Sequence, residues 1–326
     1  MRLEIWADVV CAWAYIGKRR LETVLLSWHG EPVEVIWRPF RIDPMAPAQA
    51  LALADALQDP LVDAALQQCA PGLSPAENRV RVSEIAAAEG LGPRWGAAWR
   101  ANSHDAHRLI ALAHESGGAP LQNAVAEEVM KAHFLDALDI SAHGTLALVA
   151  ERAGFPEGAG LLAGTAGEDH VRELVLRGKA IGVTTSPTFV VAGEALAGAH
   201  APEVVADFLR RSEGLTEPRI PAEVVRLREA EALLDLGDPL GCLTLLGPLL
   251  DEHGEDKNVR LLAARAYFHS AQLGRARAVL EPLCAEAPDD SYAQLLLGRV
   301  LERQGRGAEA APHLRLAAAM TPTYGR

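Results

Sequence analysis

The chain has 326 residues, 31 of them basic and 43 acidic, and a formal net charge of −12. That length allows two domains with separate apolar cores. The acidic balance argues against nucleic acid and anionic membranes as partners, and no apolar run approaches the ~18 residues of a spanning helix.

The N-terminus, Met-Arg-Leu-Glu-Ile-Trp-Ala-Asp, alternates like a strand and lacks the apolar core of a secretion signal. The expected compartment is therefore the cytoplasm. The four cysteines there (Cys11, Cys69, Cys242 and Cys284) start as thiols, too scattered for a disulfide framework.

Residues 2–9 read as a strand that turns apolar towards its end. "DVVCAWAYIGKRRLE" (8–22) then places Cys11 where strand gives way to helix, and the helix continues through "LETVLLSW". "VEVIWRPF" (33–40) is a second strand. From about 47 to 181 Ala, Leu and Glu dominate in a helical pattern without strand signals. "TFVVAGEALAGA" (188–199) reads as a hairpin turning at Ala-Gly, and "APEVVADFLRRS" as a last helix with Pro202 near its first turn. Strand, helix, strand, a long helical excursion, hairpin and helix form the order of a thioredoxin fold interrupted by a helical insertion, over residues 1–214. The proline-bearing stretch 215–222 is the expected linker.

The remainder repeats at a period of 34 residues, in blocks 223–256, 257–290 and 291–324. Leu246, Leu280 and Leu314 share the twenty-fourth position, and Cys242, Ala276 and Ala310 the twentieth. Small residues where helices cross and a helix-stopper at the block end describe one helical hairpin per block. The third block resembles a tetratricopeptide repeat through Leu297-Gly298, Ala310, Leu314, Ala317 and Pro322. It departs by lacking a tryptophan at the fourth position, and the second block has a shifted turn. Cys242 and Cys284 read as small apolar residues packed between these helices. An all-α repeat domain at 223–326 thus follows the α/β domain.

"DVVCAWAYIGKRR" resembles the start of the DsbA-like thioredoxin superfamily, most closely the FrnE type, which carries Cys-Pro-Trp-Cys-Tyr-Ile-Gly-Lys there. Cys11, Trp13, Tyr15, Ile16, Gly17 and Lys18 match; Ala12 and Ala14 do not. The resemblance extends over roughly 1–212, including "NSHDAHRLIALA" (102–113) and "TTSPTFVVAG" (184–193). It implies Cys11 as nucleophile and Pro187 as the cis-proline of a loop facing it. Ser186 and Pro187 would then offer a backbone edge to a bound peptide or to the cysteinyl part of glutathione. It also implies Trp13, Asn102 and His107 as substrate-binding residues, the latter two on an insertion helix overlooking the cleft. Ser103 is the expected cap of that helix.

A thiol at the first turn of a helix faces unpaired N–H groups and the positive dipole end. The expectation is an activated thiolate, since such cysteines titrate at ~3.5–7.5 against ~8.5 when free. Ala14 removes the sulfur that would resolve a mixed disulfide, and Cys69 replaces it only if the insertion folds it over the site. The expected activity is thiol–disulfide exchange through one cysteine, forming mixed disulfides with a protein client or a small thiol. Glutathione or another low-molecular-weight thiol serves as co-substrate, and no cofactor is tightly bound. No metal is expected, because His104 and His107 lack a matching ligand pair. The repeats and the Pro187 loop would hold the client. Two other readings stay open. One is a non-catalytic adaptor resembling thioredoxin–tetratricopeptide chaperones. The other is a glutathione-dependent isomerase or transferase, whose families use serine at the Cys11 position. Ala14 also suits a variant that traps a mixed disulfide.

Overall fold

The computed structural model describes residues 1–61, 64, 70, 72–216 and 219–325, in two compact units, 1–178 with 183–218 and 179–182 with 219–326.

The first unit is built on β1 (Arg2–Ala7), with α1 (Ala12–Leu26) following and then β2 (Glu34–Pro39). A hairpin of β5 (Thr188–Val191) and β6 (Glu194–Ala197) completes a sheet of order β2-β1-β5-β6 among the described residues. β1 runs parallel to β2, with Ile5 opposite Trp37, and antiparallel to β5, with Ile5 opposite Phe189. Being central, β1 is covered on both faces. Leu3 and Ile5 on one side and Trp6 on the other are all buried, which is why its alternation fades into an apolar run. The hairpin turns at Ala192 (φ 50°) and Gly193 (φ 88°). Two positive φ values give the turn whose twist matches the strands, and glycine takes its place there without strain. Helix α8 (Pro202–Ser212) follows, with Pro202 in its first turn.

The insertion contains α2 (Leu53–Ala56), α3 (Pro75–Ala88), α4 (His104–Phe134), α5 (His143–Arg152), α6 (Gly158–Leu162) and α7 (Glu168–Ala180). Helix α4 breaks at Gly117–Gly118, and Pro120 stands in the first turn after the break. The insertion also contains two two-residue strands, β3 (Leu51–Ala52) and β4 (Trp99–Arg100), which pair antiparallel. Strands so short have no periodicity to read. Among the described residues the insertion shares the core of the sheet: Leu109, Val125, Val129 and Met130 join Leu3, Ile5, Tyr15 and Phe189 in one cluster.

The second unit contains helix pairs α9 (Ala222–Asp235) with α10 (Pro239–Glu252), α11 (Lys257–His269) with α12 (Leu273–Glu286), and α13 (Ser291–Arg303) with α14 (Gly307–Met320). Asp238, Asp256 and Asp290 accept hydrogen bonds from first-turn amides at the starts of α10, α11 and α13. Leu246 and Leu280 are buried between the helices, as are Cys242 and Cys284. No helix among the described residues is long and apolar enough to cross a membrane.

Candidate active site around Cys11

The chain leaves β1 through a tight turn in which the Cys11 amide donates to the Asp8 carbonyl at 3.0 Å. Cys11 then caps α1 with extended backbone (φ −88°, ψ 116°) and no side-chain cap bond. Opposite lies the loop entering β5, where the Ser186–Pro187 bond is cis. The Cys11 thiol donates to the Ser186 carbonyl oxygen at 3.4 Å, and Ser186 Oγ accepts from the Asp8 amide at 2.9 Å. Ser186 therefore ties the end of β1 to the loop and holds the loop backbone against Sγ. Gly17, one and a half turns into α1, lets Pro187 approach closely: a Cβ there would lie 3.1 Å from Pro187 Cγ.

Cys11 is 9% exposed. Burial pushes its thiol above the ordinary value of 9.0. The Ser186 hydroxyl and the amides of Ala14 and Trp13 pull it down, but the nearby Asp8 charge adds to the rise. The expected activated thiolate is thus corrected to a protonated resting thiol. The helix N-terminus does supply N–H groups to the sulfur, but exclusion of water and a carboxylate three residues away outweigh them.

Asp8 is the residue that sequence reasoning missed. It is buried. Its Oδ2 accepts from the Ile42 amide at 2.8 Å, and Oδ1 lies 3.3 Å from His107 Nε2. Burial alone would raise its pKa. The hydrogen bond and charge of His107, with the Ile42 amide and Ser103 hydroxyl, hold the carboxyl below 3.8 instead. The one available signal was a carboxylate at the buried end of a central strand, where an unpaired charge is not tolerated.

The remaining expected site residues divide. His107 is buried, with its Nε2 3.3 Å from the Asp8 carboxylate. Asn102 accepts from Arg41 Nη2 and from the His104 amide, both at 3.0 Å, and donates to the Ala46 carbonyl at 2.9 Å. Its side chain thus holds the first amide of α4 and the loop after β2. Ser103 makes no cap bond; its hydroxyl serves Asp8 instead, a correction to its expected role. Trp13 is half-buried in the first turn of α1, beneath the Arg81 guanidinium at 5.8 Å from the ring centre. Cys69 lies outside the described residues.

Lys18, a motif match, is buried away from the thiol. Its Nζ lies 2.8 Å from Glu127 Oε2 and also pairs with Glu22. Tyr15 donates to Glu127 Oε1 at 2.7 Å, and Arg19 joins the same carboxylate. Burial raises the Glu127 carboxyl, but Lys18, Tyr15 and Arg19 bring it below its usual 4.5. This network clamps α1 to α4. His104, Asp105 and Glu168 offer ligand atoms within 4.8 Å of one another. Glu168 is taken by His104 and Arg172, and Asp105 by Arg108 and His143. Each carboxylate of the cluster is thus engaged by neighbouring arginine and histidine side chains.

The sequence profile of the DSBA-like thioredoxin domain matches residues 2–210, and that of a tetratricopeptide repeat matches residues 233–300. No curated protein matches the chain. A probable DsbA oxidoreductase from Streptomyces coelicolor is 28% identical, with 68% of this chain and 93% of that one covered and a TM-score of 0.57. A 2-hydroxychromene-2-carboxylate isomerase is 16% identical, with 65% and 95% covered and a TM-score of 0.48.

Proposed function

The chain belongs to the DSBA-like thioredoxin domain family, and from that premise we propose that it performs disulfide exchange through a single thiol, in the manner of a FrnE-type protein lacking its second cysteine. The observation that carries this reading is the 3.4 Å contact between Cys11 Sγ and the Ser186 carbonyl. It sets the sulfur beside a loop edge able to pair with an extended peptide.

In the first step Cys11 loses its proton, and the thiolate attacks a disulfide R–S–S–R′. A Cys11–S–S–R bond forms, the S–S bond of the substrate breaks, and R′S⁻ leaves. Position 14 is alanine, so no local sulfur displaces R. An external thiolate, glutathione or a similar low-molecular-weight thiol, attacks the mixed disulfide, forms R–S–S–R″ and returns Cys11. Because the resting thiol is protonated, the first step is slow at neutral pH and accelerates as pH rises. Tetratricopeptide repeats mediate protein–protein contacts, and here they would bring a protein client to the thiol. The proposed compartment is the cytoplasm, where small thiols maintain reducing conditions.

A second reading, polypeptide binding without turnover, is favoured by the burial and raised titration of Cys11. Incubation with excess glutathione disulfide at pH 7 to 9, followed by intact mass and peptide mapping, separates the two. A single adduct on Cys11, growing with pH and removed by reduced glutathione, supports exchange. No adduct at any pH, with aggregation of a denatured client still suppressed by the Cys11→Ser variant, replaces it with the binding reading.

A further inference from the structure

A cleft of about 360 Å³ opens beside the start of α4, walled by Val175 and Leu176 of α7 and rimmed by Arg41, His104, Glu168 and Arg172. That volume suits a small organic molecule. Its polar groups are not equivalent. Glu168 is saturated by His104 Nε2 at 2.9 Å and Arg172 Nη2 at 2.8 Å, with Arg108 Nε at 3.8 Å. Arg172 also meets Asp169 at 2.7 Å.

Arg41 differs. It is half-buried, and the only acceptor it meets among the described residues is the neutral Asn102 Oδ1 at 3.0 Å, while its Nε is buried with no acceptor. Other half-buried arginines of this unit each meet a carboxylate: Arg19 with Glu127, Arg20 with Glu89, Arg38 with Glu4 and Arg100 with Asp43. A guanidinium carries five donors and forms its strongest bonds with a carboxylate. Arg41 is thus a surplus positive charge at the rim of a cleft whose other charges are matched.

We propose that this cleft binds a small organic carboxylate, whose charged end is held by Arg41 and whose hydrocarbon body lies on Val175 and Leu176. The loop carrying Arg41 continues into Ile42, whose amide bonds the Asp8 carboxylate, so an occupant would sit close along the chain to the thiol site. Binding itself does not depend on thiol chemistry.

The test uses the full-length Cys11→Ala protein, so that covalent chemistry plays no part, with 3-phenylpropanoate and its amide as probes. Calorimetry gives the affinities, and methyl-labelled NMR locates the contact. The acid binds about tenfold more tightly than the amide, the Val175 and Leu176 methyls shift on titration, and Arg41→Gln brings the acid down to the amide's affinity. Arg41→Lys, which keeps the charge but not the fork, recovers part of the preference and shows that the site still folds. Equal binding of acid and amide, an acid affinity that survives Arg41→Gln, or shifts confined to other methyls would each overturn the proposal. So would inorganic phosphate binding as tightly as the acid, because the site would then read charge alone.

Discussion

The side chain of Gln122 hydrogen-bonds both backbone groups of Trp37, accepting from its amide at 2.9 Å and donating to its carbonyl at 3.0 Å. Trp37 lies on β2, an edge strand whose outward groups would otherwise be open to another strand. The insertion therefore closes the sheet edge at this point with one amide that mimics a neighbouring strand. Both partners are buried. Gln122→Ala leaves two buried backbone groups unpaired, at about 1–3 kcal/mol each, so a loss of about 2–6 kcal/mol in denaturant unfolding is expected. Gln122→Glu keeps the shape but cannot donate when ionised and buries a charge; it is expected to cost at least as much at pH 7. If either variant unfolds like the wild type, the edge is held by other contacts.

Asp8 and Ser186 act on Cys11 in opposite directions. Replacing Asp8 by Asn removes the charge that raises the thiol, so the midpoint of the alkylation-rate profile moves to lower pH and iodoacetamide reacts faster at pH 7. Ser186→Ala removes a hydroxyl that lowers the thiol and leaves the Asp8 amide without its acceptor; its midpoint moves up. Burial pushes Cys242 to about 12 and Cys284 to about 11, so neither interferes below pH 9 once peptides are mapped. Midpoints that move together in one direction would mean that both variants merely loosen the fold.

Gly17→Ala sets two effects against each other. Alanine gains about 1 kcal/mol of helix propensity over glycine. Its Cβ would press on Pro187 Cγ at 3.1 Å and on Ala199 and Phe189 at 3.5 Å, and overpacking costs about 1–3 kcal/mol. The expected net loss is about 0–2 kcal/mol. The larger consequence is expected at the loop, which would give by a few tenths of an ångström and admit more water to Sγ. Since burial is the main cause of the raised thiol, alkylation at fixed pH should accelerate. Slower alkylation would show that the loop yields elsewhere and that Pro187 does not control access to Cys11.

The legibility of this protein follows the range of its interactions. Cys11 at a helix start, the Ala192-Gly193 turn and the helical hairpins were legible, because each depends on neighbours a few residues apart or on a repeated pattern; the cis-Pro187 loop facing Cys11, far off in sequence, was implied only by the family resemblance. The overall α/β architecture with its insertion was legible from element order. What failed was long-range. Nothing near Asp8 announces that His107, 99 residues on, will keep it ionised in a buried place. The expected thiolate failed for the same reason: the helix terminus is local and visible, whereas the water exclusion that overrides it is built by distant segments. Asn102 starts an insertion helix as expected, but its bonds to Arg41 and Ala46 in the loop after β2 had no local signal, and neither did the pairing of Lys18 with Glu127.

His133 gives a prediction at acid pH. It is buried at the end of α4, edge-on to Phe134 at 4.6 Å between ring centres, and its Nδ1 has no hydrogen-bond partner among the described residues. Burial lowers its pKa from 6.5 to about 4, against a small opposing pull from Asp8 and Asp139. The folded protein thus holds this imidazole neutral where the unfolded chain protonates it. Between pH 6.5 and about 4 the unfolded state binds more protons, so stability falls as pH falls through that window. At ~1.4 kcal/mol per pH unit the gap amounts to about 3 kcal/mol. His133→Leu removes the titrating group and keeps an apolar body beside Phe134. Its unfolding free energy should lose about 3 kcal/mol less than the wild type between pH 7 and 4. Asp8, whose depressed carboxyl loses its contribution only below its unfolded value of 3.8, leaves that window largely unaffected. Parallel pH profiles for the two proteins would mean that His133 is protonated in the folded state, and that the cavity around it admits water or an acceptor.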